Sequence, residues 1–188
     1  MKKLLLGSLL LCSSFSVWSH GYVKFPESRS YLCQQKANTG CGQIQYEPQS
    51  LEASKGFPQA GPDDGKIASA GHFKFRELDE QTTTRWKHVQ LDATKIAFKW
   101  FFTAPHKTTK WEYFVTKTDW DPNAPLTRQQ FDLTPFCEVN GFNKKPPVEV
   151  EHTCEISSDR KGYHVILSVW TIFDTGNAFY QVIDTDLR

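Results

Sequence analysis

Five stretches of this chain carry the apolar pattern of β-strands, and that pattern bounds the fold more tightly than any other feature. In IAFKWFFT, residues Ile96, Phe98, Trp100 and Phe102 share one face, with Phe101 the apolar exception on the other. KWEYFVTK places Trp111, Tyr113 and Val115 together in the same way. VEVEHTCEI, GYHVILSVWTIF and AFYQVIDTDL add β-branched and aromatic runs, and VNGFNKKPP and SSDRKG read as the turns between strands. The segment from Pro26 to about Arg85 differs. It is rich in Gly, Pro, Gln and Ser and shows no long amphipathic helix. It reads as a large excursion after the first strand, and long ordered excursions on a rigid scaffold usually carry function. The predicted fold is an antiparallel β-sandwich with that excursion packed at one end.

The N-terminus reads as a targeting segment. Lys2 and Lys3 precede the apolar run LLLGSLLLCSSFSV, and Val17 and Ser19 are small enough for a signal-peptidase site. The run is shorter than the ~20 residues of a spanning helix, and Leu11 stands before Cys12 where a lipid-attachment motif needs a small residue. Residues 1–19 are therefore expected to be a signal peptide, cut between Ser19 and His20, and the product to be secreted. Cleavage removes Cys12 and leaves Cys33, Cys41, Cys137 and Cys154. Four cysteines in an exported chain imply two disulfides, with three possible connectivities. Pairing near neighbours, 33 with 41 and 137 with 154, would close two short loops. A zinc site is disfavoured by the lack of a C-x-x-C pair.

Residues 20–188 suffice for one domain. Cleavage takes away Lys2 and Lys3 and no acid, so 20 basic side chains face 21 acidic ones. A balance this even supplies no long-range field for nucleic acid or an anionic membrane. An uncharged partner fits better.

The expected cut also exposes chemistry. An N-terminal His20 offers its α-amine and its Nδ1 to one ion, and the amine releases its proton near neutrality when a metal competes. Nitrogen ligands in a plane suit Cu(II). A third ligand is needed, and His72, His88, His106, His152 and His164 remain. Spacing does not choose among them, although His106 follows one predicted strand and precedes another.

HGYV at 20–23, YEPQSLE at 46–52, KGFPQAGPDDGKIASAG at 55–71, LDEQTTTRW at 78–86, TAPH at 103–106, LTRQQFDLTPFC at 126–137, DRKGYHVILSVW at 159–170 and DTGNAFYQVID at 174–184 run through the chain in order. On these segments residues 20–188 resemble the bacterial lytic polysaccharide monooxygenases of auxiliary activity family ten, the chitin-binding type-4 domains, and most closely their single-domain chitin-binding members. The resemblance implies a fibronectin type III- or immunoglobulin-like sandwich with a large loop and short-helix insertion after the first strand, and the disulfide pairing 33–41 and 137–154.

It also implies roles for individual residues. His20 and His106 match the two histidines of a copper-holding brace, with the His20 α-amine as third nitrogen. Phe179 matches an aromatic residue beside an axial copper position, and Ala104 a small residue crowding the other. Glu52 matches a carboxylate that positions the oxygen co-substrate. Tyr46 matches an exposed ring that lies flat on chitin, while Glu47, Gln49, Asp174, Thr175 and Asn177 match polar positions on the same face. Pro105 departs from the pattern, since relatives often carry arginine or another polar residue there.

The implied activity is oxidative cleavage of crystalline chitin by a monomer. One copper ion cycles between Cu(II) and Cu(I), fed by an external electron donor with O2 or H2O2 as co-substrate. Hydroxylation, expected at C1, breaks the glycosidic bond and leaves an aldonic acid. A glycoside hydrolase would instead need two carboxylates flanking the bond, and no pair stands out for that. Two other classes share these features: a non-catalytic chitin-binding or adhesion module, and a periplasmic copper carrier.

Overall fold

The computed structural model describes residues 20–92 and 94–188; the expected signal peptide, residues 1–19, lies outside the described residues. The chain runs through β1 (His20–Phe25), α1 (Arg29–Gln34), β2 (Glu52–Ser54), β3 (Val89–Leu91), β4 (Lys95–Ala104), β5 (Thr108–Val115), β6 (Cys137–Lys144), β7 (Glu149–Glu155), β8 (Gly162–Ile172) and β9 (Asn177–Leu187). Short 3-10 turns cover Gly42–Tyr46, Phe73–Asp79 and Arg128–Gln130. One sheet has the order β1-β4-β7; the other has β2-β9-β8-β5-β6, with β3 added parallel to β9. The remaining pairings are antiparallel, so the molecule is the expected sandwich.

Why the strands differ in pattern follows from what covers them. β4 alternates buried and accessible residues, and Phe98, Trp100 and Phe102 meet Tyr113, Trp170 and Phe179 between the sheets. Its exception, Phe101, packs outside against Tyr22 with ring centroids 5.6 Å apart. β8 and β9 are buried almost throughout because the excursion covers their second face. There Ile44, Phe57, Ile67, Phe75 and Trp86 pack on Val165, Leu167, Val169, Tyr180 and Val182. A strand covered on both faces has no reason to alternate.

The stretch VNGFNKKPP is not simply a turn. Its first residues belong to β6, which pairs Cys137 with Tyr113 and Val139 with Trp111. β6 lies at a sheet edge and most of its residues are accessible, so its sequence is polar enough to pass for a loop. β2 and β3, at three residues each, were likewise hidden in the excursion and the connection that follows it. The disulfides join Cys33 to Cys41 and Cys137 to Cys154.

One buried ion pair fastens the excursion to the sheet. The Arg29 guanidinium donates from Nε and Nη2 to both Asp184 oxygens at 2.9 and 2.6 Å. It also reaches the Leu78 carbonyl and Gln81 Oε1, while the Tyr163 hydroxyl donates to Asp184. Both charged side chains are buried. Replacing Asp184 by Ala leaves that guanidinium buried without its counter-charge, at a cost of ~3–5 kcal/mol. The expected result is a large drop in melting temperature; a drop as small as that of an exposed variant such as Glu151→Ala would contradict this role.

Candidate metal centre and binding face

β1 begins where β4 ends. The register sets His20 opposite Ala104, with a bulge between His20 and Gly21, and His106 follows two residues later in the short β4–β5 connection. Gly21 is needed in this arrangement. A Cβ there would come within 2.5 Å of the Phe102 ring, and the Gly21 N–H donates to the Gln49 carbonyl at 3.3 Å. Sheet pairing and a close backbone approach thus fix His20 and the strand end from which His106 follows.

His106 is oriented by a carboxylate. Its Nδ1 stands 2.8 Å from Asp174 Oδ1. Partial desolvation, the largest single influence, would raise the Asp174 carboxyl, but the bond from His106, a backbone hydrogen bond and the nearby charges of His106 and Lys107 together hold it below its usual range. An ionised carboxylate only accepts, so Nδ1 carries the proton and the neutral ring keeps its lone pair on Nε2. Asp174, expected on the substrate face, therefore also acts on the candidate ligand.

The other histidines are engaged with other partners. His152 is buried, its Nδ1 accepts the Tyr113 hydroxyl at 2.7 Å, and burial pushes its pKa down to about 4. His164 is buried against the Thr116 hydroxyl, with its pKa lowered by desolvation. His88 stacks on Tyr163 at 3.7 Å. His72 donates from Nε2 to the Glu52 carbonyl at 2.6 Å.

Around His20 lies an open depression of about 320 Å³ lined by His20, Glu47, Ser50, Glu52, Ala53, Ser54, His72, Lys74 and Asn177. His106 is not among its lining residues. Glu52 pairs with Phe179 across β2 and β9, and its Oε1 accepts from the Asn177 side chain at 2.9 Å. Phe179 is buried, its ring centroid 6.4 Å from that of His20. Tyr46, at the end of its 3-10 turn, is 74% exposed. Glu47 is drawn into an ion pair with Lys74 at 3.1 Å. Thr175 accepts the Lys55 ammonium on its carbonyl and the Asn177 N–H on its hydroxyl. Gln49 contributes its carbonyl to Gly21.

The sequence offered His72 only as one of five possible third ligands and did not mark Lys74 at all; their place beside His20 comes from the turn Phe73–Asp79 folding beside β2.

No cluster of three or more His, Cys, Asp or Glu side chains able to hold a metal occurs among the described residues. The borderline character of imidazole nitrogen is compatible with copper. Loss of such an orienting carboxylate typically costs ~10–100-fold in metal affinity. Asp174→Ala, in a chain beginning at His20, is expected to weaken Cu(II) binding by that order in calorimetric titration. An unchanged affinity would mean that Asp174 does not support His106.

Residues 20–185 match a family described as lytic polysaccharide mono-oxygenase, cellulose-degrading. The chain is 48% identical to GlcNAc-binding protein A of Shewanella oneidensis over 96% of its length and 50% identical to that of Photobacterium profundum over 97%. It spans only 38% and 40% of those two relatives. Its fold superposes on an AA10 LPMO from Photorhabdus luminescens with a TM-score of 0.88 at 55% identity, covering 89% of this chain and 98% of that one. A Bacillus amyloliquefaciens CBM33 in complex with Cu(I) gives 0.84 at 42% identity, covering 90% and 100%.

Proposed function

The chain belongs to the lytic polysaccharide mono-oxygenase family, and on that premise we propose that it is an exported, copper-dependent enzyme that binds crystalline chitin and cleaves it oxidatively at C1. The observation that carries this reading is the placement of His20 and His106 at one end of adjacent strands, with Asp174 holding His106 by Nδ1. Cleavage between Ser19 and His20 would add the α-amine as third nitrogen. The leader pattern before His20 and the family together support export, with residues 20–188 as the working domain.

When bound, copper supplies one-electron chemistry with an external donor, and O2 or H2O2 serves as co-substrate. The protein's own groups do the rest. His20 and His106 would hold the ion, and Phe179 packs an apolar, non-ligating ring near His20. Ala104, opposite His20, leaves the other side small. Glu52, steered by Asn177, presents a carboxylate to the depression beside His20 and can position a small polar co-substrate there. Tyr46 offers an exposed ring to a pyranose face. Glu47, Gln49, Asp174, Thr175 and Asn177 supply polar groups for N-acetyl and hydroxyl contacts.

Chitin is favoured over the cellulose of the family's description because both quoted curated relatives are named for N-acetylglucosamine binding. The same names favour a second reading, a binding or adhesion module without catalysis. One experiment separates the two. Copper-loaded protein beginning at His20, incubated with β-chitin and ascorbate, is expected to release oligosaccharides of aldonic-acid mass. His106→Ala is expected to abolish them while keeping chitin binding. Oxidised products from His106→Ala at the parent rate would refute the ligand assignment, and binding without any oxidised product from the parent would favour the module.

A further inference from the structure

Five aromatic side chains are substantially exposed among the described residues: Phe25, Tyr46, Phe73, Phe142 and Phe173. Phe25 ends β1, away from His20. Phe73 is the most exposed of all, at 79%, and its place in the chain is informative. It stands between His72 and Lys74, both of which line the depression beside His20. Lys74 in turn pairs with Glu47, the residue after Tyr46, so an ion pair links the turns that carry the two exposed rings.

A single solvated phenylalanine needs no explanation. Phe73, however, is propped. The Arg76 guanidinium carbon lies 4.4 Å from its ring centroid, and Arg76 Nη1 donates to the Phe73 carbonyl at 3.3 Å. Arg76 is itself paired with Glu77. A cation stacked on a ring restrains it and leaves the opposite face to solvent. Such a ring has lost much of its freedom before any partner arrives, which lowers the entropic cost of stacking.

We propose that Phe73, backed by Arg76, is a second sugar-stacking position on the face that carries Tyr46, and that it takes the apolar face of an N-acetylglucosamine ring of the same chitin surface. This rests on the chitin reading above. It widens the contact on the β2 side of His20, where its chain neighbours His72 and Lys74 line the depression. The carbon-bound hydrogens of a pyranose face carry slight positive charge and meet the negative face of the aromatic quadrupole. A sugar laid there also covers apolar surface that is otherwise wet.

Adsorption isotherms on β-chitin test this without copper or turnover. The series is the parent chain from His20 with Phe73→Ala, Phe73→Leu, Phe73→Trp, Tyr46→Ala and Phe25→Ala, each checked by melting temperature. Phe73→Ala and Phe73→Leu are expected to weaken adsorption roughly three- to tenfold. Phe73→Trp should bind at least as well as the parent, and Phe25→Ala like the parent. A Phe73→Ala isotherm that superimposes on the parent's overturns the proposal, whatever Tyr46→Ala does. Parent-like binding by Phe73→Leu overturns the stacking role. A parent protein that does not adsorb to chitin overturns the substrate reading itself, and this inference with it.

Discussion

The antiparallel pairing of β1 with β4 is the constraint from which the site follows. It sets His20 against Ala104 and puts the β4–β5 connection, with His106, at the same end of the sandwich. Gly21 allows β1 to lie close over Phe102, and its N–H ties the strand to the Gln49 carbonyl. A centre resting partly on strand register is held more firmly than one resting on loops alone: His20 sits in the β1–β4 ladder, and His106 is anchored two residues past it by Asp174.

The second support is the six-stranded sheet covered on both faces. The excursion packs Ile44, Phe57, Ile67 and Phe75 on its outer side, and the Arg29–Asp184 pair clamps α1 to β9. The short strand β2 and the turns around it can therefore present Glu47, Glu52 and His72 beside His20 without having a long regular element of their own. Beside His20 the result is a surface depression of about 320 Å³. A solid polymer face, which enters no cleft, can only be met by such a surface.

How legible this was varied with local physics. β4 declared itself by alternation, since one face meets the core and the other does not. β8 and β9 were legible from β-branched and aromatic content alone, because burial on both faces erases the period. β6 was not, as an edge strand tolerates the polar residues that mark a loop. The chelating potential of His20 was readable from its place after the leader pattern. The choice of His106 as its partner was not readable from spacing, because ligands meet in space; family resemblance named it, and the Asp174 bond gives it a geometric reason. Asp174 itself read as a surface acid for substrate, since nothing in DTGNAF signals that its carboxylate turns toward a histidine 68 residues earlier. Lys74 and Phe73 were silent for the same reason, and His72 was only one of five histidines that spacing did not rank.

The central claim is that two side-chain imidazoles and a main-chain amine at His20 hold one copper ion. The most direct measurement compares Cu(II) binding to a chain that begins at His20 with binding to one carrying a single extra alanine before it, by calorimetry and electron paramagnetic resonance. The account predicts tight one-to-one binding with a three-nitrogen signature for the first. For the second it predicts an affinity weaker by several orders of magnitude, with that signature lost. Equal affinity and identical spectra for the two chains would contradict it.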